Sequence, residues 1–190
     1  TSERKVYRAE MVLGIETNTY DADGKVISQT DKLPDINKIR EVFAQYQGNI
    51  RQKPPLYSAI KYRGRPMYAL AREGHRVDIP YREVTLFKNS IIRFIAPNRV
   101  FFEVECSKGT YIRSLCHDMG KAMGCGAHLS FLLRIRNGMF SIEESWTLDE
   151  IERYAAMDML YKIVIPMDQS ISHLGAVFIQ DSMYNRIING

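Results

Sequence analysis

The chain has 190 residues, 45% of them hydrophobic and 25% charged, enough to bury a core without disulfides or metal and sized for one domain plus a small extra piece. No apolar run reaches bilayer-spanning length and the opening Thr1-Ser2-Glu3-Arg4-Lys5 has no apolar signal core, so the composition points away from membrane and secretory proteins and towards the cytosol. Three cysteines, Cys106, Cys116 and Cys125, cannot all pair and fit no zinc spacing, which leaves buried free thiols as the reading.

The net charge of +4 is unevenly spread. Residues 51–82 carry eight Lys/Arg against Glu73 and Asp78, interleaved with Tyr57, Tyr62, Tyr68 and Tyr81. Residues 143–168 carry seven acids against Arg153 and Lys162. A basic stretch with stackable rings suits a polyanion bearing bases, although charge alone equally fits a solvated surface.

In chain order, Val6–Leu13 alternates as a strand with Tyr7, Ala9, Met11 and Leu13 on one face. Asp21-Ala22-Asp23-Gly24 reads as a turn, with Gly24 in the left-handed position and Lys25–Thr30 as the returning arm of a hairpin. Ile36, Ile39, Val42, Phe43 and Tyr46 recur at helical spacing behind an Asp35 N-cap, with Gly48 as the stop. Pro54-Pro55 forces an extended entry into Leu56–Tyr62, and a short helix is expected from Pro66 to Gly74. Strand pattern fills Arg82–Cys106 around a turn at Ala96-Pro97-Asn98. Helices follow at Thr110–Met123, closed by Gly124, and behind Thr147, whose Thr147/Glu150 pair forms a capping box. Lys162–Ile165 and Gly175–Ile179 read as strands. Strands and helices mix without regular alternation, so the fold class is α+β.

Four segments carry chemistry. Cys106-Ser107-Lys108-Gly109-Thr110-Tyr111-Ile112-Arg113 is a strand end, a glycine turn and a helix start, and Arg113 adds a permanently charged fork there. Such a place suits a phosphate, or a carboxylate that must stay ionised; pairing with a surface acid is the plainer reading. Gln52-Lys53-Pro54-Pro55-Leu56-Tyr57-Ser58-Ala59-Ile60-Lys61 is either a stiff connection or part of a site. Lys5-Val6-Tyr7-Arg8 leads into Leu13-Gly14-Ile15-Glu16-Thr17-Asn18-Thr19-Tyr20-Asp21-Ala22-Asp23-Gly24, where Tyr7 could equally be a core residue. The fourth is the apolar, arginine-tipped run His128–Gly138.

Together and in this order, K-x-Y…LG-x-x-T-x-T-x-D-x-x-G, Q-x-PP-x-YSA-x-K and CSKGTYIRSL resemble the TruB family of tRNA pseudouridine synthases, over about Lys5 to Gly138 and more loosely to the end. Guide-RNA-dependent relatives share parts of the pattern, and the Ser-Lys of CSKGTYIR looks more like the bacterial stand-alone type. The resemblance implies a mixed, mainly antiparallel sheet with flanking helices over residues 1–160, a partial pseudouridine synthase fold. It also implies that residues 161–190 open a small PUA-like RNA-binding domain. It implies isomerisation of a T-loop uridine, the pseudouridine-55 reaction, flipped out of its stack, with no metal or cofactor. The partner would be the T-arm of tRNA and the enzyme a cytoplasmic monomer.

Carried over position by position, Arg113 matches the arginine that pairs with the nucleophilic aspartate. Tyr7 matches the tyrosine that stacks on the flipped base and helps remove the last proton. Tyr111 and Leu132 match residues lining the uracil, and Lys61 with its basic surroundings would lie near the RNA backbone. The family's nucleophile sits in a G-T-L-D-P-like segment before the K-x-Y strand, and no Thr-Leu-Asp-Pro occurs in this sequence. The expectation is therefore a chain that starts inside the catalytic domain, ends early, and alone lacks its nucleophile, with Asp21 and Asp23 as turn residues. Two other classes stay open: an RNA-binding module without turnover, and a thiol hydrolase using one cysteine with His117 or His128.

Overall fold

The computed structural model describes residues 4–62, 64–73, 79–171, 174–175, 177–189. Gly74, and Arg63, Arg76 and Asp78 of the basic stretch, lie outside the described residues. Two units divide the chain, one up to Glu143 and one from Glu144 onward.

Among the described residues the first unit has ten strands: β1 (Arg4–Leu13), β2 (Ile15–Thr17), β3 (Val26–Gln29), β4 (Gly48–Gln52), β5 (Lys61–Tyr62), β6 (Arg65–Pro66), β7 (Arg82–Ile95), β8 (Arg99–Ser107), β9 (Ala127–Asn137) and β10 (Phe140–Ser141). Six form one antiparallel sheet in the order β10-β9-β1-β8-β7-β4. The first strand is therefore central, and its partners come from about a hundred residues further along. The α+β reading holds, with a mainly antiparallel sheet.

Alternation along β1 and β8 decides which face is the core. Ala9, Met11, Val100, Phe102, Val104 and Cys106 point one way and are fully buried. Against them pack α1 (Ile36–Gln45), through Ile39, Val42 and Phe43, and α3 (Ile112–Met123), through Ile112, Leu115, Cys116 and Met119. Each fully buried large side chain here contributes ~2 kcal/mol. Gly120 lets α3 lie close to β9, because a Cβ there would meet the Ala127 nitrogen at 2.3 Å. Gly124 ends α3 in the left-handed conformation, φ 80°, its N–H capping the Gly120 and Lys121 carbonyls. Asp35 caps α1 as expected, its carboxylate accepting from the Lys38 N–H at 2.8 Å.

The expected hairpin forms: β3, its returning arm after Gly24, pairs with β2 in a separate two-stranded sheet, and Gly14, at φ 82°, turns the chain between β1 and β2. Other expectations are corrected. The left-handed residue of that region is Tyr20, at φ 67°, not Gly24; Gly24 is required for space, since a Cβ would lie 2.3 Å from the Thr19 hydroxyl. Gly48 does not stop α1, which is capped at Tyr46; it opens β4 instead. The short helix α2 (Met67–Arg72) begins one residue after Pro66, which itself pairs in β6.

The second unit contains α4 (Leu148–Ala156), closed at its N-terminus by the expected capping box between Thr147 and Glu150. Its Trp146 packs edge-on against Tyr154 at 5.2 Å. Lys162–Ile165 is not a strand: its first residue ends a 3₁₀ turn, and the three that follow are a turn residue and irregular backbone. Gly175–Ile179 likewise forms no strand among the described residues. Both are short apolar runs, a pattern that does not by itself separate strand from other states.

Candidate active site

The start of α3 is set by side chains rather than by helix propensity. Gly109 turns the chain at φ 82°, and the Thr110 hydroxyl donates to the Ser107 carbonyl at 2.9 Å. Gln52, buried at the end of β4, then uses both ends of its amide on one residue. Its Oε1 accepts from the Tyr111 N–H at 2.8 Å and its Nε2 donates to the Tyr111 carbonyl at 3.0 Å. With Tyr111 fixed in extended backbone, the helix begins at Ile112, two residues later than the pattern from Thr110 implies. Ser114 donates to the Lys53 carbonyl at 3.0 Å. The Gln52–Tyr57 segment, stiffened by two buried prolines, is thereby stitched to the helix start.

Arg113 projects from the first turn of α3 and is half-buried. Its guanidinium pairs with the Asp21 carboxylate at 2.6 Å, and donates to the Thr19 carbonyl at 3.5 Å and to the Tyr57 carbonyl. Asp21 is held from its own side as well. The Thr19 hydroxyl donates to its carboxylate at 2.5 Å, the Thr17 hydroxyl donates to its carbonyl at 2.7 Å, and its backbone bridges to Leu129 of β9. Asp21 is thus the partner of Arg113 and more than a turn residue. The aspartate of the T-x-T-x-D run was the available signal in the sequence.

Beside this pair lies a shallow cavity of about 150 Å³ lined by Asp21, Leu129, Ser130 and Leu132 among others. Leu132 lies opposite Ala9 and Arg134 opposite Tyr7, so Leu132 and Tyr7 share one face of adjacent strands. Burial raises the Tyr7 phenol above its ordinary range; Cys106 adds to this, and the Arg134 guanidinium beside the hydroxyl offsets part of it. Tyr7 therefore rests as the neutral phenol. Lys61 is exposed on the separate β5–β6 ribbon. In the basic stretch, Arg51 and Lys53 lie over the Tyr81 ring at 5.2 and 6.0 Å.

One turn beyond Arg113, His117 is buried and stacked on Tyr20. Burial, with Lys121 adding to it, pushes its pKa down to about 4, so the ring is neutral. Burial also pushes the neighbouring Asp118 carboxyl up to about 6. All three thiols are buried, and burial raises each, Cys106 to about 11, so none is a ready nucleophile and the thiol-hydrolase reading loses its basis. Among the described residues no His/Cys/Asp/Glu group could hold a metal ion, and no helix is long and apolar enough to cross a membrane.

Residues 1–112 match the family model described as TruB family pseudouridylate synthase (N terminal domain). Residues 113–172 match that of the tRNA pseudouridylate synthase B C-terminal domain. Proteins named tRNA pseudouridine synthase B are similar throughout. The one from Alkaliphilus oremlandii is 40% identical over 187 residues, 98% of this chain and 61% of its own length. That from Clostridioides difficile is 40% identical over 189 residues, 98% of this chain and 62% of its own. Among solved structures, a Cbf5-Nop10-Gar1 complex matches all of this chain and 49% of the compared chain at 30% identity, TM-score 0.71. An H/ACA RNP bound to a substrate RNA containing 2'-deoxyuridine matches all of it and 48% of the compared chain at 25% identity, TM-score 0.69. The fold is that of the pseudouridine synthases it matches, and the chain belongs to the TruB family. It spans about three-fifths of the length of the curated relatives it matches.

Proposed function

We propose that this chain forms the uridine-binding part of a tRNA pseudouridine-55 synthase, which isomerises a flipped-out T-loop uridine in the cytoplasm as a monomer. The observation that carries the reading is Arg113, fixed by Asp21 and two backbone carbonyls at the start of α3, beside the cavity that Leu132 lines. In the reaction a carboxylate attacks the nucleotide, the glycosidic C–N bond breaks with its electron pair staying on uracil N1, the base turns, and C5 bonds to the sugar as the carboxylate is released; C5 then loses its proton and N1 carries one. The chain's own residues divide the remaining work.

Arg113 keeps the attacking carboxylate ionised through charge and hydrogen bonding. Its contacts to Asp21, Thr19 and Tyr57 leave part of its fork of donors for a second carboxylate. That carboxylate is the nucleophile, supplied from outside these 190 residues, so the chain alone is inactive. Tyr7 stacks on the base as the neutral phenol and takes part in removing the proton from C5, a role that requires the phenol first to give up its own proton to a neighbouring base or water. Tyr111 and Leu132 line the uracil, and Lys61 with the Arg51/Tyr81 cluster follows the RNA backbone. Residues 1–160 serve as the catalytic part and 161–190 open the PUA-like RNA-binding domain.

The test is tritium release from a T-arm RNA labelled at C5 of its uridines. Release by the full-length protein and none by this chain, folded and RNA-bound, is the expected result. Release by the chain alone would make one of its own acids, Asp21 first, the nucleophile. RNA binding without release by the full-length protein would replace the reading with that of a binding module.

A further inference from the structure

Tyr20 has no role in the reaction as set out above, yet its placement is unusual. It is a bulky aromatic residue at φ 67°, in the left-handed region that L side chains rarely adopt. Such residues persist where their surroundings over-determine them, and they gather at functional sites. Here the surroundings are a ring stack: the Tyr20 and His117 centroids lie 3.8 Å apart with planes at 17°. His117 follows Arg113 by four residues on α3, so the two share one face of the helix. The consecutive loop residues Tyr20 and Asp21 thus meet consecutive turns of that face, Tyr20 on His117 and Asp21 on Arg113.

The stack is backed from behind. The His117 ring is 5% exposed, and its Nδ1 lies 3.4 Å from Glu16 Oε1 across the β2 side. Neither atom has a hydrogen-bond partner among the described residues, so the ring is held by packing and stacking and is not tied down by a hydrogen bond. On the loop side, the Leu129 N–H donates to the Tyr20 carbonyl at 2.9 Å, immediately before the Asp21–Leu129 bridge. The loop is therefore pinned between α3 and β9 at the residue before the carboxylate.

We infer that Tyr20 and His117 are positioning residues, a stacked pair that sets the loop so that Asp21 engages Arg113 in the orientation turnover needs. This rests on the synthase reading for its effect on rate, but the docking of the loop can be read without it. Tyr20→Asn separates the ring from the backbone, because Asn accepts the left-handed conformation and offers no stack. Tyr20→Phe keeps the stack; Tyr20→Gly, also at ease in that backbone, is a second ring-less variant held to the same outcomes as Asn.

Two measurements are made on the full-length protein: kcat and KM for tritium release from T-arm RNA, and hydrogen exchange at the Leu129 amide. For Tyr20→Asn, kcat falls about ten-fold with KM within about two-fold, because loop orientation and not RNA affinity is lost. Its Leu129 amide exchanges about ten-fold faster as the loop opens locally. Tyr20→Phe stays within about two-fold of the parent in both readings. A Tyr20→Asn protein with the parent's exchange rate at Leu129, or with the parent's kcat, overturns the inference. A parent that releases no tritium defeats the synthase reading instead, and the exchange rates then decide the stack by themselves.

Discussion

On the charged face of the sheet, Arg8 pairs with Glu103 at 3.5 Å, Arg4 with Glu105 at 3.3 Å and Arg99 with Glu10 at 2.5 Å. At the start of α3, Arg113 pairs with Asp21 at 2.6 Å. The chemistry is the same in both regions, and the surroundings are not. The sheet-face arginines are 47 to 60% exposed while their carboxylate partners are 16 to 21% exposed, so water competes for the guanidinium groups and each pair is worth ~0–1 kcal/mol. Arg113 and Asp21 are each 22% exposed, and both are tied to further backbone and hydroxyl groups. Removing a partner there strands a charge in a site that water cannot fully restore. The sheet-face pairs bridge neighbouring strands; the α3 pair fixes a geometry, which is what the proposed reaction site requires.

Several substitutions break or sharpen that contrast. Outside the α3 pair itself, Tyr7→Leu has the largest effect, on rate: turnover falls ~10²-fold while stability changes by ~1 kcal/mol, because the ring is half-buried and its hydroxyl is the group proposed to act in the reaction. Paired single-turnover assays and thermal melts check this, and a mutant that fails mainly by unfolding would return Tyr7 to the core. Gln52→Leu comes next, with ~2 kcal/mol lost as the buried Tyr111 N–H loses its partner, measured by urea denaturation.

Asp118→Asn tests the helix one turn further on. Burial holds this carboxyl at about 6 against an ordinary 3.8, so the folded state binds the proton more tightly than the unfolded chain. The stability this confers is complete below pH 3.8 and is lost as pH rises through about 6. Relative to the parent, the variant therefore gains ~1 kcal/mol between pH 4 and pH 7.5, discounted for partial exposure; His117 titrates in both proteins and cancels. Arg8→Gln, on the sheet face, shifts stability by no more than ~0.5 kcal/mol.

Local structure was legible wherever a local cause decides it. The inward set of the first strand, the Asp35 cap, the Gly124 stop and the Thr147/Glu150 box all follow from neighbouring residues. Strand partnership beyond the β2–β3 hairpin was not, because β1 finds β8 and β9 across a hundred residues. The same division runs through the site. Arg113 stood out by its place at a helix start, and the family resemblance pointed to Tyr7, Tyr111 and Leu132. Asp21 read as a turn residue because aspartate favours turns, and its partner lies 92 residues away. Gln52 gave no local sign that its amide would dock on Tyr111, 59 residues on. His117 and Tyr20 are ordinary in sequence and acquire meaning only when the loop meets the helix.

The central claim is that Arg113 acts in turnover and not in holding the RNA. Arg113→Ala in the full-length protein, followed by single-turnover tritium release and by T-arm RNA affinity side by side, tests it most directly. The account predicts a rate lower by ~10³-fold with an RNA Kd within about three-fold of the parent. Pseudouridine formed at near the parent's rate, or an RNA affinity that collapses together with the rate, would contradict it.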